Sequence, residues 1–375
     1  MRYGLLADRL DRGSRRTGIG AYIEGLAAGL AEVADGDRFV LFSLGSGAVG
    51  SVRNGSPVAV GRLPWPRRTT TLAWAVAGRP RIRDVGGRLD LLHVLVPTVP
   101  VPTAAPLVAT VHDLMPLKHP QLFRRRDRAL FERAVHHIAR KARWVIAVSD
   151  ATRRDVVELL GFPEERTAVV HHGVPVHFSA APVDRQKSVR LEYGLGDDPL
   201  LLFVGEVAER KNVPGLVDAF ADAAREVPRA RLVLAGSPGI GYDKVREHIR
   251  AVPAGSIVLA GHASQQDVEG LMSTASAVVI PSLDEGFGFP ALEAMSIGTP
   301  VIAADRASLP EVVDGAGLLV SPLDRAAIAG AMQRVLTEDD LRRNLSRRGL
   351  ERAATFTWRR AAEQTLEVYG NALRT

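Results

Sequence analysis

Asp284-Glu285-Gly286-Phe287-Gly288-Phe289-Pro290-Ala291-Leu292-Glu293 is the stretch on which the reading of this chain turns. It follows an apolar run at 277–280 that reads as a buried strand. It leads into 291–297, which reads as a helix with Pro290 at its first position, where a missing N–H costs nothing. Gly286 and Gly288 let the chain bend and bring bare backbone amides near a ligand. The new helix adds unpaired N–H groups and the positive end of a dipole, at Ala291 and Leu292 among others, which suits a phosphate. A carboxylate beside a phosphate would repel it. Glu285, ahead of the anion site, and Glu293, one turn inside the helix, are therefore read as acceptors for neutral hydroxyls. Hydroxyl, diphosphate, hydroxyl is the outline of a nucleotide sugar. The same strand–glycine–helix turn with a capping acid also serves α/β proteins that bind nothing there, so the loop by itself leaves both readings open.

Composition sets the frame. At 375 residues the chain suits two domains rather than one core. No apolar run approaches the ~20 residues that span a bilayer. The start, Met1-Arg2-Tyr3-Gly4-Leu5-Leu6-Ala7, runs into a strand pattern with no secretory apolar core, and zero cysteines exclude disulfides, zinc–thiolate sites and a Cys nucleophile. The expected location is cytoplasmic. Net charge is +6 but uneven: residues 1–180 hold 26 Lys and Arg against 16 Asp and Glu, the remainder 22 against 26. A basic first half suits an anionic partner (a membrane surface, a phosphorylated acceptor or nucleic acid) and equally a plain arginine-rich solvated surface.

Strand-like runs alternate with helical ones from end to end. In the first half they lie at 3–7, 39–43, 91–95, 107–111, 144–148 and 168–171, with helical patterns at 21–33 and 124–141. In the second they lie at 200–204, 232–235, 257–260, 277–280, 301–304 and 318–320. Short, continuously apolar strands between helices mean parallel sheets covered on both faces. The series restarts after 182–198, a polar stretch that reads as a linker. This gives an α/β fold of two doubly wound, Rossmann-like domains, 1–182 and 183–355, followed by a final helix in 356–375. Ligands belong at the carboxyl ends of such strands. Residues 44–90, rich in Gly, Pro and Arg around Pro64-Trp65-Pro66-Arg67-Arg68, read as loops with one helix near 72–77.

Other motifs fall at those strand ends. Gly18 and Gly20 open a helix after Thr17, either as a second anion site or as an ordinary N-capped turn. His112 ends a strand and is followed by Asp113, which could orient it; Ser149 can cap the helix behind it. His171-His172-Gly173 lacks a third metal ligand at a recognisable spacing. Gly205-Glu206 is followed by Arg210-Lys211-Asn212, placing two cations where a leaving diphosphate would gather charge. Gly261 ends another strand. Arg124, Arg125, Arg126, Arg128, Arg133, Arg140, Lys141 and Arg143 line a helix with Leu130, Phe131, Ala134 and Ile138 on another face. That helix is either packed on the sheet or a peripheral membrane contact through 124–143.

The spacing Glu285-x7-Glu293, together with Arg210-Lys211-Asn212, the His112 segment and Asp305-Arg306-Ala307-Ser308, resembles the signature of retaining, GT-B-fold glycosyltransferases of family 4 (group 1). The resemblance covers nearly the whole chain. It implies two facing Rossmann-like domains, with the C-terminal helix crossing back to the first. It also implies transfer of a hexose, with a weak lean to GDP-mannose, from a nucleotide-diphosphate sugar to a hydroxyl of a glycan, lipid-linked glycan or small-molecule glycoside. No metal and no cofactor are implied beyond the donor itself. Glu293 would hold the ribose, and Glu285 and His112 the transferred sugar. Amides at Phe287, Gly288 and Phe289 would approach that sugar, and those at Ala291 and Leu292 the phosphate. Arg210 and Lys211 would carry the diphosphate charge, Gly18 and Gly20 would face donor and acceptor, and the base would lie near Gly261. Many family members carry Arg directly after the glycine, where this chain has Glu206. Two rival readings stand beside this one: another GT-B enzyme (a phosphorylase or a sugar-nucleotide epimerase) and a non-catalytic basic binding module. Nucleic acid is not expected as a partner, because the aromatic interleaving that favours single strands is missing.

Overall fold

The computed structural model describes residues 1–7, 17–43, 58–62, 69, 70, 73, 74, 82 and 87–375. They form two compact units, Met1–Val176 with Phe356–Thr375, and His177–Thr355. Each contains one parallel sheet. In the first, the strands are β1 (Arg2–Ala7), β2 (Arg38–Ser43), β3 (Val58–Arg62), β4 (Leu91–Val94), β5 (Leu107–Val111), β6 (Trp144–Ala147) and β7 (Thr167–Val169). Their order is β3-β2-β1-β4-β5-β6-β7. In the second, β8 (Leu200–Val204), β9 (Arg231–Ala235), β10 (Ile257–Gly261), β11 (Ala277–Ile280), β12 (Val301–Ala304) and β13 (Leu318–Val320) run β10-β9-β8-β11-β12-β13. Both orders reverse after the first strand of the unit, between β1 and β4 and between β8 and β11. Those reversals are the switch points where doubly wound sheets open a crevice at their carboxyl ends.

The central strands are buried along their whole length, as apolar runs covered on both faces must be. Phe203, Phe220, Leu232 and Leu234 fill one side of the second sheet. Burying each such side chain contributes about 1.5–3 kcal/mol relative to leaving it exposed.

Two expectations from the sequence need correction. Residues 58–62 form β3, an edge strand paired in parallel with β2 from Phe39↔Val58 to Ser43↔Arg62, rather than a loop. A strand this short takes its structure from its neighbour: a Cβ at Gly61 would lie 2.5 Å from the Phe42 ring, so glycine permits the approach. Of the helix expected near 72–77, Ala73 and Trp74 are described, and are helical. Residues 64–68 lie outside the described residues. The polar stretch 182–198 is no linker either, since Val183–Glu192 is a helix. Its single buried side chain, Val189, packs on Gly270, which is why it reads as polar. The unit boundary accordingly falls at 176/177 rather than 182/183: Gln265 Nε2 donates to the His177 carbonyl at 2.8 Å and Ala181 N–H to Ser273 Oγ at 2.9 Å.

The last helix, Trp358–Arg374, packs on helix Gly18–Val33 in the first unit. Trp358 is the reason for two glycines there: a Cβ at either Gly25 or Gly29 would collide with it. Its indole N–H donates to the Val174 carbonyl at 2.7 Å. Arg125–Lys141 buries Ala134, Val135 and Ile138, while Leu130, expected on that face, is 37% exposed. Among the described residues, no helix is long and apolar enough to cross a membrane.

Candidate active site

The switch point of the second sheet is flanked by the loops after β8 and β11, and these carry the charged residues singled out from the sequence. After β8, Gly205 (φ 141°) turns the chain, and a short turn, Glu209–Lys211, presents Arg210 and Lys211. After β11, residues 281–288 present Glu285. Lys211 Nζ donates to Glu285 Oε1, and Ser282 Oγ donates to the same oxygen at 2.7 Å. Lys211 and Glu285 side chains are each only 13% exposed. Burial pushes the Glu285 carboxyl up, but Lys211, Ser282 and Arg210 together outweigh it and hold its pKa below the ordinary value. Arg210 places Nε and Nη2 on a single oxygen of Glu206, at 3.0 and 2.6 Å. Leu283 N–H donates to the Arg210 carbonyl at 3.3 Å, and Ser308 Oγ to the Glu285 carbonyl at 2.9 Å, tying the loops together. The result is two cations and two carboxylates converging at one strand end. Asn212 and Ala307, next to this cluster, hold φ 53° and 52°, backbone that an alanine adopts only at a cost of about 1–2 kcal/mol.

The helix expected at 291–297 runs from Phe289 to Ser296, with Pro290 second rather than first. Gly288 precedes it at φ 101°, and a Cβ there would lie 2.7 Å from Leu309 Cδ2, so glycine serves both the turn and the packing. The amides of Ala291 and Leu292, expected to face a phosphate, both donate to the Gly288 carbonyl, at 3.0 and 3.3 Å. The bond from Leu292 is the ordinary i→i−4 bond of a first helical turn, and that from Ala291 is the tighter i→i−3 bond common at helix ends. Phe287 and Phe289 rings pack edge to face, 5.5 Å between centroids. Gly261 ends β10 at φ 62°, and a Cβ there would meet nothing within 4 Å, so its glycine serves the turn alone. Asn212 stands at the start of helix Val213–Glu226 but does not cap it; its Nδ2 donates to the Pro322 carbonyl at 2.6 Å.

In the first unit, Thr17 Oγ1 accepts from Gly20 N–H at 3.1 Å, and Ala21 N–H donates to the Thr17 carbonyl, so Gly18 and Gly20 form an N-capped turn. His112 pairs its Nε2 with the Leu95 carbonyl at 3.0 Å. Because a carbonyl only accepts, Nε2 carries the proton and Nδ1 is left as an acceptor. Asp113 Oδ1 accepts from Met115 N–H at 3.1 Å. The Tyr22 ring packs edge-on against the His112 ring, 4.7 Å between centroids. Behind it runs a buried chain: Tyr369 OH to His93 Nδ1 at 2.7 Å, His93 Nε2 to Thr110 Oγ1 at 2.8 Å, and Thr110 Oγ1 to Tyr22 OH at 2.8 Å. Among the described residues, no group of three or more His, Cys, Asp or Glu could hold a metal ion.

The family description "Glycosyl transferases group 1" matches residues 186–352, and "Glycosyltransferase Family 4" matches 16–178. O-antigen chain mannosyltransferase B of Escherichia coli is 31% identical over 265 residues, 70% of this chain and 69% of that one. The chain is a group 1 glycosyltransferase. D-inositol 3-phosphate glycosyltransferase of Kineococcus radiotolerans is 31% identical over 294 residues, 72% of this chain and 67% of that one. The structure of HepE from Anabaena, in complex with UDP and glucose, superposes with a TM-score of 0.76 over 99% of this chain and all of that one, at 20% identity. The glycosyltransferase thus has the GT-B fold.

Sequence reasoning about this glycosyltransferase missed Ser282, and it named the segment that ends in Ser308 without that serine's bond to Glu285. Ser282 lies three residues before Glu285, a spacing that pairs such side chains at turns and was there to be read. Ser308, 23 residues away from Glu285, left no local signal. Glu293 is a different kind of finding. Burial, then the Glu269 charge, raises its pKa from 4.5 to about 7. The folded chain therefore keeps the proton where the unfolded chain has lost it, and this carboxyl destabilises the fold as pH rises from about 4.5 to 7. Glu293→Gln should raise stability by about 1–3 kcal/mol at pH 8 and by nothing at pH 4, read from urea unfolding at both values. An equal change at both would remove the titration from the explanation.

Proposed function

We propose that this glycosyltransferase moves a hexose from a nucleotide-diphosphate sugar to a hydroxyl acceptor, with retention of configuration and without a resident metal. The observation that carries the reading is the meeting of Lys211, Arg210 and Glu285 at the switch point between β8 and β11, from loops 74 residues apart in sequence. Fixed cations there suit the charge that develops on a departing diphosphate. Glu285, held ionised, is a strong acceptor for sugar hydroxyls, and the amides at Phe287, Gly288 and Phe289 lie in the same loop. Glu293 takes the ribose hydroxyls, and the base lies towards Gly261. His112, with Nδ1 as acceptor, keeps the contact with the transferred sugar that the family resemblance gives it.

The mannosyltransferase among the relatives favours mannose as the sugar, GDP-mannose is the lean that the family resemblance gives, and HepE was crystallised with UDP and glucose, so the donor panel must include both nucleotides. Glycans, lipid-linked glycans and small glycosides are the acceptor classes. For a lipid-linked acceptor, the arginines of Arg125–Lys141 around exposed Leu130 suit peripheral contact with an anionic, inner-face membrane surface.

The test is a thermal-shift screen against GDP-, UDP-, dTDP- and ADP-sugars, followed by product analysis with the donor that stabilises. A new glycoside with the anomeric configuration of the donor supports the proposal. Inverted product removes the retaining mechanism. Sugar phosphate or epimerised nucleotide sugar assigns one of the other GT-B activities, and no stabilisation by any donor rejects the reading.

A further inference from the structure

Arg210 and Lys211 are the two cations assigned to the diphosphate, but their partners differ in kind. Lys211 is matched with Glu285, which has its own place in donor binding. Arg210 is matched with Glu206, which has none. The guanidinium edge made by Nε and Nη2 lies wholly on Glu206 Oε2, at 3.0 and 2.6 Å. A phosphate oxygen pair takes such an edge by the same two-pronged geometry. Carboxylate and phosphate are rivals for it.

Glu206 is built into this position. Gly205 turns the chain immediately before it at φ 141°. Immediately after it, Val207 N–H donates to the Ser237 carbonyl at 2.9 Å, and Gly239 N–H to the Val207 carbonyl at 3.0 Å. Its side chain lies over Gly239, where an added Cβ would sit 2.5 Å from the carboxyl carbon. Glycine at 239 thus leaves the space that the carboxylate fills. Glu206 is also 40% exposed, and ion pairs that open to water are weak. It is a partner that a diphosphate can displace, though not without cost.

Resting on the donor reading above, we propose that Glu206 is a release-promoting residue: its carboxylate competes with the nucleoside diphosphate for Arg210 and thereby limits how tightly the product is held. Departure of product limits turnover in many enzymes, so a built-in competitor would favour kcat over product retention.

Calorimetric titration with GDP, UDP, dTDP and ADP tests this. Glu206→Gln, which keeps the shape and removes the charge, should bind whichever nucleotide the wild type binds about 3- to 10-fold more tightly, with product inhibition strengthened by a similar factor. In an Arg210→Ala background the same substitution should change affinity by less than about twofold, because the competition passes through the guanidinium. Unchanged or weaker binding in the single variant overturns the proposal and makes Glu206 a support for Arg210. A gain that persists without Arg210 also overturns it, in favour of simple repulsion. If Glu206→Gln does not fold, Glu206→Ala carries the same expectation. Wild-type protein that binds none of the four nucleotides overturns the donor reading and this inference together, whereas wild-type binding with an unaltered variant sinks the inference alone.

Discussion

Replacing Glu285 by Gln should lower turnover by about 10²–10³-fold while the protein stays folded, the size of loss seen when one preorganised electrostatic group is removed from a transition state. Glutamine keeps an acceptor for Ser282 Oγ and Lys211 Nζ, so the loop can hold its shape. What goes is the negative charge, which binds sugar hydroxyls strongly and which Lys211 sustains in a largely buried place. Near-wild-type rates, with an unaltered thermal midpoint, would refute the sugar contact. The partner residue gives a second readout. Lys211→Ala leaves burial to act on Glu285 with less opposition, so the carboxyl pKa must rise. The acid limb of the pH–rate profile should then move to higher pH. A limb that stays in place means that Lys211 does not keep Glu285 ionised.

The second large effect concerns stability in acid. His93 is pushed down to about 3 by burial and then by the neighbouring His112; His112, also through burial, to about 4. His172 is held well below its ordinary value by burial and by His112 and His171. All three have folded pKa values below the unfolded one, so their contribution is intact above about 6.5. It is lost as pH falls towards 4, because the unfolded chain takes up protons that the folded chain refuses. Each histidine adds about 1.4 kcal/mol per pH unit to the slope within that window. Trp74, Trp144 and Trp358 belong to the first unit and residues 177–355 contain no tryptophan, so in a Trp65→Phe background the emission during urea unfolding reports on the first unit alone. The midpoint should drop steeply between pH 6.5 and 4. His93→Gln, which can still bond to Tyr369 and Thr110, should flatten that drop by about one proton's worth. Parallel curves would show that carboxylate protonation, and not His93, governs the acid limb.

How far the residues alone carried the fold can be seen strand by strand. The spans at 107–111, 200–204, 277–280, 301–304 and 318–320 coincide with β5, β8, β11, β12 and β13. The first four lie inside their sheets and are buried along nearly their whole length, as continuous apolar runs in covered parallel sheets are. By contrast, β13 is an edge strand with Leu319 39% exposed. β3 escaped because an edge strand containing a glycine has no such signature until β2 lies beside it. Val183–Glu192 escaped because one buried valine is too little periodicity to set a helix apart from a polar linker. At the site, the types of residue were legible but their partners were not. Lys211, which the sequence assigns to phosphate, has Glu285 as a partner as well, and Ala291 and Leu292, assigned likewise, have the Gly288 carbonyl. Glu206 stood out only as a departure from a pattern, without the arginine that it holds.

The amino-acid sequence by itself determined that this chain makes two parallel-sheet domains of the GT-B kind, and which loops carry glycines, acids and cations. Hydrophobic period and backbone permissiveness are local properties, written into neighbouring residues. Only the tertiary structure decided which charge meets which, how far burial moves each proton, and that a buried tyrosine–histidine–threonine chain stands behind His112. Coulomb energy and desolvation depend on distances through space between groups remote in sequence, and those distances exist only once the sheets have formed.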